Sequence, residues 1–164
     1  QYGWSWITLG GLILTAFLIS LTLIDADTQY LPDSMTLPLI WLGLLFNFDG
    51  DFVSLQSAVS GTVAGYGSLW LLCTVYKLLT GKIGMGNGDF KLLAALGAWL
   101  GISVLPVLVF LAALVGLAMA VIMRISKGQY FAFGPALAIS GWIIFAANDS
   151  VLRAVNWWLT HSGL

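Results

Sequence analysis

From Gln1 to Ile24 the chain carries no charged side chain, and the first one it reaches is Asp25. A membrane-spanning helix takes about 20 mostly apolar residues, so this opening run is wide enough to cross a bilayer. The pattern then repeats. Apolar stretches cover Trp4–Ile24, Thr36–Phe48, Val53–Tyr76, Phe90–Leu100, Val104–Met123 and Phe131–Ala147, joined by short polar links. Composition agrees: 60% of the 164 residues are hydrophobic and 8% are charged, with six Lys/Arg and seven Asp. Soluble domains carry about 25% charged residues, and so few charges cannot cover a soluble surface. An ordinary cytosolic enzyme is excluded. A net charge of −1 excludes the basic footprint that nucleic-acid phosphates need. The single Cys73 excludes an internal disulfide framework and a Cys-based zinc site. The expected fold is an all-α polytopic membrane protein of about six transmembrane helices with short loops. Residues 1–164 form one membrane-embedded domain, with no room for a soluble one. The tail from Asn148, with Trp157, Trp158 and His161, has the composition of a headgroup belt.

Basic residues set the orientation. With six spans, the loops 25–35, 77–89 and 124–130 share one face. That face gathers Lys77, Lys82, Lys91, Arg124 and Lys127, whereas the other has Arg153 alone. Positive charge marks the cytoplasmic side. Trp4–Ile24 lacks the basic lead and the small-residue cleavage site of a signal peptide.

Polar groups at membrane depth are costly and so are candidates for function. Two clusters stand out at that cytoplasmic border. The first is Asp25-Ala26-Asp27-Thr28-Gln29-Tyr30-Leu31-Pro32-Asp33, after the first run. The second is Gly84-Met85-Gly86-Asn87-Gly88-Asp89, before the fourth. They share a face only if the short stretch Thr36–Phe48 crosses. Each has an ordinary structural reading. Asp89 suits a helix N-cap after a glycine-rich turn, and Pro32-Asp33 suits a solvated turn. A phosphate-binding loop fits poorly, because such loops place Lys and Ser/Thr after the glycines. No metal site is expected, since carboxylates alone would have to converge and the one His is in the tail. Two aspartates brought together support another chemistry. One proton is held between them; the ionised group activates water and the protonated one donates to a peptide carbonyl.

These residues resemble a family. Leu23-Ile24-Asp25-Ala26-Asp27 with Leu31-Pro32-Asp33, and Gly84-Met85-Gly86-Asn87-Gly88-Asp89-Phe90-Lys91-Leu92, are similar to the two motifs of the bacterial type IV prepilin peptidases, which are Gly-x-Gly-Asp membrane aspartyl proteases. The resemblance extends to Phe133-Gly134-Pro135. It implies Asp25 and Asp89 as the catalytic pair and Gly84, Gly86 and Gly88 as the site loop. Asp27, Asp33 and Lys91 are secondary positions. It implies cleavage after a glycine in the basic leader of type IV prepilins and type II secretion pseudopilins, at the cytoplasmic face of the bacterial inner membrane. It implies no cofactor, and its partners are these protein substrates and the lipid bilayer, with no nucleic acid. Oligomeric state stays open. Many relatives add an N-terminal portion with a Cys-containing domain and methylate the new N-terminus. This sequence shows no such domain; it is expected to be either a trimmed part of a longer protein, which the missing initiator Met favours, or a short peptidase-only form, and methyl transfer by this chain is in doubt.

Helix dipoles suggest a division of labour. Asp25 follows a helix end and would hold the proton, while Asp89 opens a helix and would carry the negative charge. The glycine before the cut lowers the cost of unwinding a helical substrate. Two other functions compete. A proton-coupled transporter would set its acids near the midplane, often in broken helices. A non-catalytic secretion-system scaffold would need no converging acids. Of the remaining side chains, Cys73 reads as a small core residue in mid-span. Pro38, Pro106 and Pro135 shape span ends. Gly11, Gly61, Gly65 and Gly116 permit close helix packing.

Overall fold

In the computed structural model, residues 2–28, 31–48, 50, 52–81, 87–124, 133–147 and 160–161 are described. Among them are six main helices: α1 (Tyr2–Thr28), α2 (Asp33–Phe46), α3 (Leu55–Thr80), α4 (Asn87–Leu100), α5 (Leu105–Ile122) and α6 (Gly134–Ala146). A single 3₁₀ turn, Ile102–Val104, precedes α5. Three helices are long and apolar enough to cross a membrane, through Leu9–Thr28, Leu55–Thr80 and Ile102–Ile122. The other three have 14, 14 and 13 residues, about 20 Å each at 1.5 Å per residue. The outward faces are apolar: Leu78 and Leu79 are each 81% exposed, where only lipid makes such exposure favourable.

Helices run past the apolar stretches that predict them, because interfacial turns tolerate polar residues. The first run ends at Ile24, yet α1 continues to Thr28, so Asp25 lies in the last turn of the helix rather than beyond it. Pro38 sits inside α2 rather than at its end. Pro106 and Pro135 do open their helices, α5 and α6, where a missing N–H costs nothing. Gly81 ends α3 in the left-handed conformation that glycine adopts freely.

α4 is the axis of the bundle. It packs on α2, α3 and α6, and from Leu92 to Leu100 every side chain it carries is buried. Against α3 the approach is backbone to backbone. A Cβ on Gly61 would lie 2.5 Å from the Gly97 carbonyl oxygen, and one on Gly65 would lie 2.8 Å from that of Leu93. Only glycine allows such a crossing, as in lipid-embedded helix pairs generally.

One end of the bundle is pinned by Asn47, wholly buried at the C-cap of α2. Its Nδ2 donates to the carbonyls of Ala98 (2.7 Å) and Trp99 (3.4 Å). Its Oδ1 accepts from the N–H groups of Phe52 and Val53, both at 3.0 Å. Trp99, also fully buried, donates from Nε1 to the Leu39 carbonyl at 2.9 Å. Phe46 and Phe52 stack tilted against it, with centroids 5.3 and 5.7 Å away. Ser57 accepts from the Ile102 N–H at 3.2 Å, tying the start of α3 to the end of α4. These contacts pair the C-terminal ends of α2 and α4 with the start of α3. The opposite end gathers the C-terminus of α1 and the starts of α2, α4 and α6. Consecutive helices therefore alternate in direction, as the crossing of the short second stretch requires.

Candidate active site

Asp25 and Asp89 are two of five buried polar side chains among the described residues, at 3% and 5% exposure. Asp25 comes from the last turn of α1 and Asp89 from the first turn of α4. The charge of Asp25 bears on Asp89 directly. Leu31, a buried residue of the first motif, is the contact point for the second. A Cβ on Gly88, next to Asp89, would meet the Leu31 Cβ at 2.7 Å. A Cβ on Gly134, at the start of α6, would meet Leu31 Cδ1 at 3.2 Å and Asp25 Cγ at 2.9 Å. The Gly134 backbone lies against the Asp25 carboxyl and bears on its charge, and Asp25 Oδ2 has no hydrogen-bond partner among the described residues. The pair thus sits at the junction of α1, α4 and α6.

The other predicted positions separate. Lys91 pairs with Asp33 (Nζ–Oδ1 2.6 Å), not with Asp89. This contact ties the start of α2 to the start of α4 and stands on the outer side, with Asp33 half exposed. Asp27 is exposed on the last turn of α1. Gly88 packs against Leu31 beside Asp89. Gly84 and Gly86 lie outside the described residues, as do Trp157 and Trp158. Cys73 is half-buried against the core, in the half of α3 toward the site. No group of three metal-ligating side chains occurs among the described residues.

The helix-dipole assignment changes. Asp25 lies at the C-terminal end of α1 but also against the N-terminal end of α6, and the two ends act with opposite sign. Dipoles alone no longer tell which carboxyl holds the proton. Leu31 and Gly134 carry part of the family resemblance in the sequence, but their contacts at the aspartates appear only in the fold.

An open apolar groove of about 290 Å³ runs between α1 and α6, lined by Thr15, Leu18, Thr22, Leu23, Ile139 and Trp142 among others. Its Leu23 end lies two residues from Asp25. What the arrangement can do chemically is water activation by one carboxyl and proton donation by the other, in surroundings closed to bulk solvent.

Residues 12–121 match the type IV leader peptidase family. The chain is 82% identical over 161 residues to a prepilin leader peptidase/N-methyltransferase of Neisseria gonorrhoeae, covering 98% of this chain and 56% of that protein. It is 52% identical over 160 residues to the protein of that name from Aeromonas hydrophila, covering 95% of this chain and 54% of that one. With the Pseudomonas aeruginosa protein it shares 49% over 157 residues, covering 93% and 54%. The chain spans about half the length of the curated relatives it matches. No solved structure matches it. The matched segment contains both buried aspartates, and the chain belongs to the type IV leader peptidase family.

Proposed function

We propose that this chain is an aspartic endopeptidase of the bacterial inner membrane. It cuts the basic leader of type IV prepilins, and of type II secretion pseudopilins, after a glycine, with Asp25 and Asp89 as the catalytic pair. The observation that carries this reading is the burial of the two carboxyls at one junction, each from a different helix and each adjoining Leu31 or a glycine in contact with it. The relatives' names supply the substrate class. The excess of basic residues at that end supports a cytoplasmic-facing site.

The mechanism follows from the pair. The ionised carboxylate takes a proton from water as that water attacks the carbonyl carbon of the scissile bond. The protonated carboxyl donates to the carbonyl oxygen. The tetrahedral intermediate then collapses, with the proton passed to the leaving amine. No covalent enzyme intermediate forms. Burial strengthens each of these electrostatic interactions.

The test is incubation of the chain in detergent micelles with a prepilin whose leader is intact. A mobility shift is expected that Asp25→Ala and Asp89→Ala both abolish while the protein stays folded. No shift with the wild-type chain, together with proton uptake in proteoliposomes that either substitution abolishes, would favour a transporter.

A further inference from the structure

A third helix takes part at the aspartate pair. Every α-helix leaves its first N–H groups without an intrahelical partner. In α6 the first helical bond runs from the Leu137 N–H to the Phe133 carbonyl at 3.1 Å. The N-cap residue, Phe133, makes no side-chain cap bond, and Pro135 has no N–H to offer. The backbone of Gly134 faces the Asp25 carboxyl. That carboxyl lies so close that a Cβ at position 134 would collide with its Oδ2. Asp25 is 3% exposed, and its Oδ2 has no hydrogen-bond partner among the described residues, so the carboxyl is enclosed where it meets Gly134. The same face of Gly134 also meets Leu31, which in turn rests against Gly88 beside Asp89.

We propose that Gly134 is a positioning residue: its bare backbone seats the Asp25 carboxyl at the start of α6, and Leu31 sets the spacing between that seat and Asp89. Two glycines do the same job on either side of the Leu31 wedge. Each removes the side chain that would hold an aspartate-bearing junction apart. α6 thus contributes no acid of its own, yet it fixes where one of the acids points. The inference rests on the peptidase reading for its kinetic consequence, but the seating of Asp25 itself does not depend on which reaction the pair performs.

The experiment compares Gly134→Ala with Gly141→Ala in the full chain in micelles. Gly141→Ala overpacks the same helix, where a Cβ would meet Leu96 Cδ2 at 2.5 Å, far from Asp25. With a prepilin as substrate, Gly134→Ala is expected to lower kcat at least tenfold with KM within about twofold, while Gly141→Ala keeps kcat within about threefold. If Gly134→Ala does not fold, Leu31→Ala is held to the same standard. A folded Gly134→Ala or Leu31→Ala with wild-type kcat overturns the proposal, as does an equal loss in Gly141→Ala. A second readout needs no cleavage. The infrared carboxyl band that disappears in Asp25→Asn is expected to shift in Gly134→Ala. An unmoved band overturns the seating of Asp25. A moved band in a chain that does not cleave prepilin refutes the peptidase reading alone.

Discussion

Replacing Gly61 by Ala tests how closely the site depends on the α3–α4 crossing. The added Cβ would stand 2.5 Å from the Gly97 carbonyl oxygen and 2.9 Å from the Gly101 carbonyl carbon. A comfortable C···O contact is about 3.3–3.6 Å, so α4 has to retreat by about 1 Å or tilt. The receiving atoms are backbone, which has no rotamer to give. Overpacking of this kind costs about 1–3 kcal/mol, offset by the roughly 0.5–1 kcal/mol that Ala gains over Gly inside a helix. Gly67, two turns further along α3, has nothing within 4 Å of a Cβ, so Gly67→Ala collects the gain alone. The pair should differ by about 1–3 kcal/mol in unfolding free energy, with Gly61→Ala the less stable. The retreat also travels along α4. Asp89 is eight residues from Gly97, about 12 Å along the helix, and a displacement near 1 Å at reacting groups costs about 100-fold in rate. Gly61→Ala should therefore cut prepilin roughly 10–100 times more slowly, while Gly67→Ala keeps its rate. The assays are denaturant unfolding in mixed micelles and initial cleavage rates at matched protein concentration. Equal stability of the two variants would refute the claim that this crossing is limited by backbone contact.

Asn47→Ala should destabilise the chain by about 1–3 kcal/mol, because it strands the Phe52 and Val53 N–H groups and two α4 carbonyls in a buried place; thermal unfolding checks it. The Asp33–Lys91 pair is part-exposed, so a double-mutant cycle with Asp33→Asn and Lys91→Met should return a coupling of only about 0.2–1 kcal/mol that shrinks in high salt. Cleavage in those variants should fall far less than in Asp25→Asn. Serine- and cysteine-protease inhibitors should leave the cleavage rate unchanged, since water rather than a side chain attacks.

The number and order of helices were legible because apolar runs at bilayer length admit few alternatives, and alternation through the short second stretch then placed both acidic clusters at one end. The borders were less so. An apolar run stops at the first charge, whereas α1 keeps its hydrogen bonds through Asp25 and Asp27 to Thr28. That shift of one turn moved Asp25 from a loop into a helix. Lys91 lies two residues from Asp89 in sequence, but its partner Asp33 comes from the start of α2, 58 residues away. Gly97 drew no attention in a run of small apolar residues. Its meaning appears only when Gly61 arrives opposite it from another helix. Asn47 passed as one polar residue near the end of an apolar stretch, and its four hydrogen bonds to α4 and to the Phe52–Val53 backbone appear only in the fold. Gly134 could be recognised as a helix start from the Pro after it, but nothing in one sequence says that Asp25 lies against it.

The central claim is that Asp25 and Asp89 act as one unit on a peptide bond. A double-mutant cycle on cleavage rate tests it most directly. Prepilin is incubated with the wild-type chain, Asp25→Asn, Asp89→Asn and the double variant, each shown to be folded by its thermal transition. Residues that act as a unit are non-additive, since removing either one already removes the chemistry. Each single variant is expected to fall to the uncatalysed background, and the double variant to be no worse. Substantial cleavage by either single variant, or losses that multiply in the double, would contradict it.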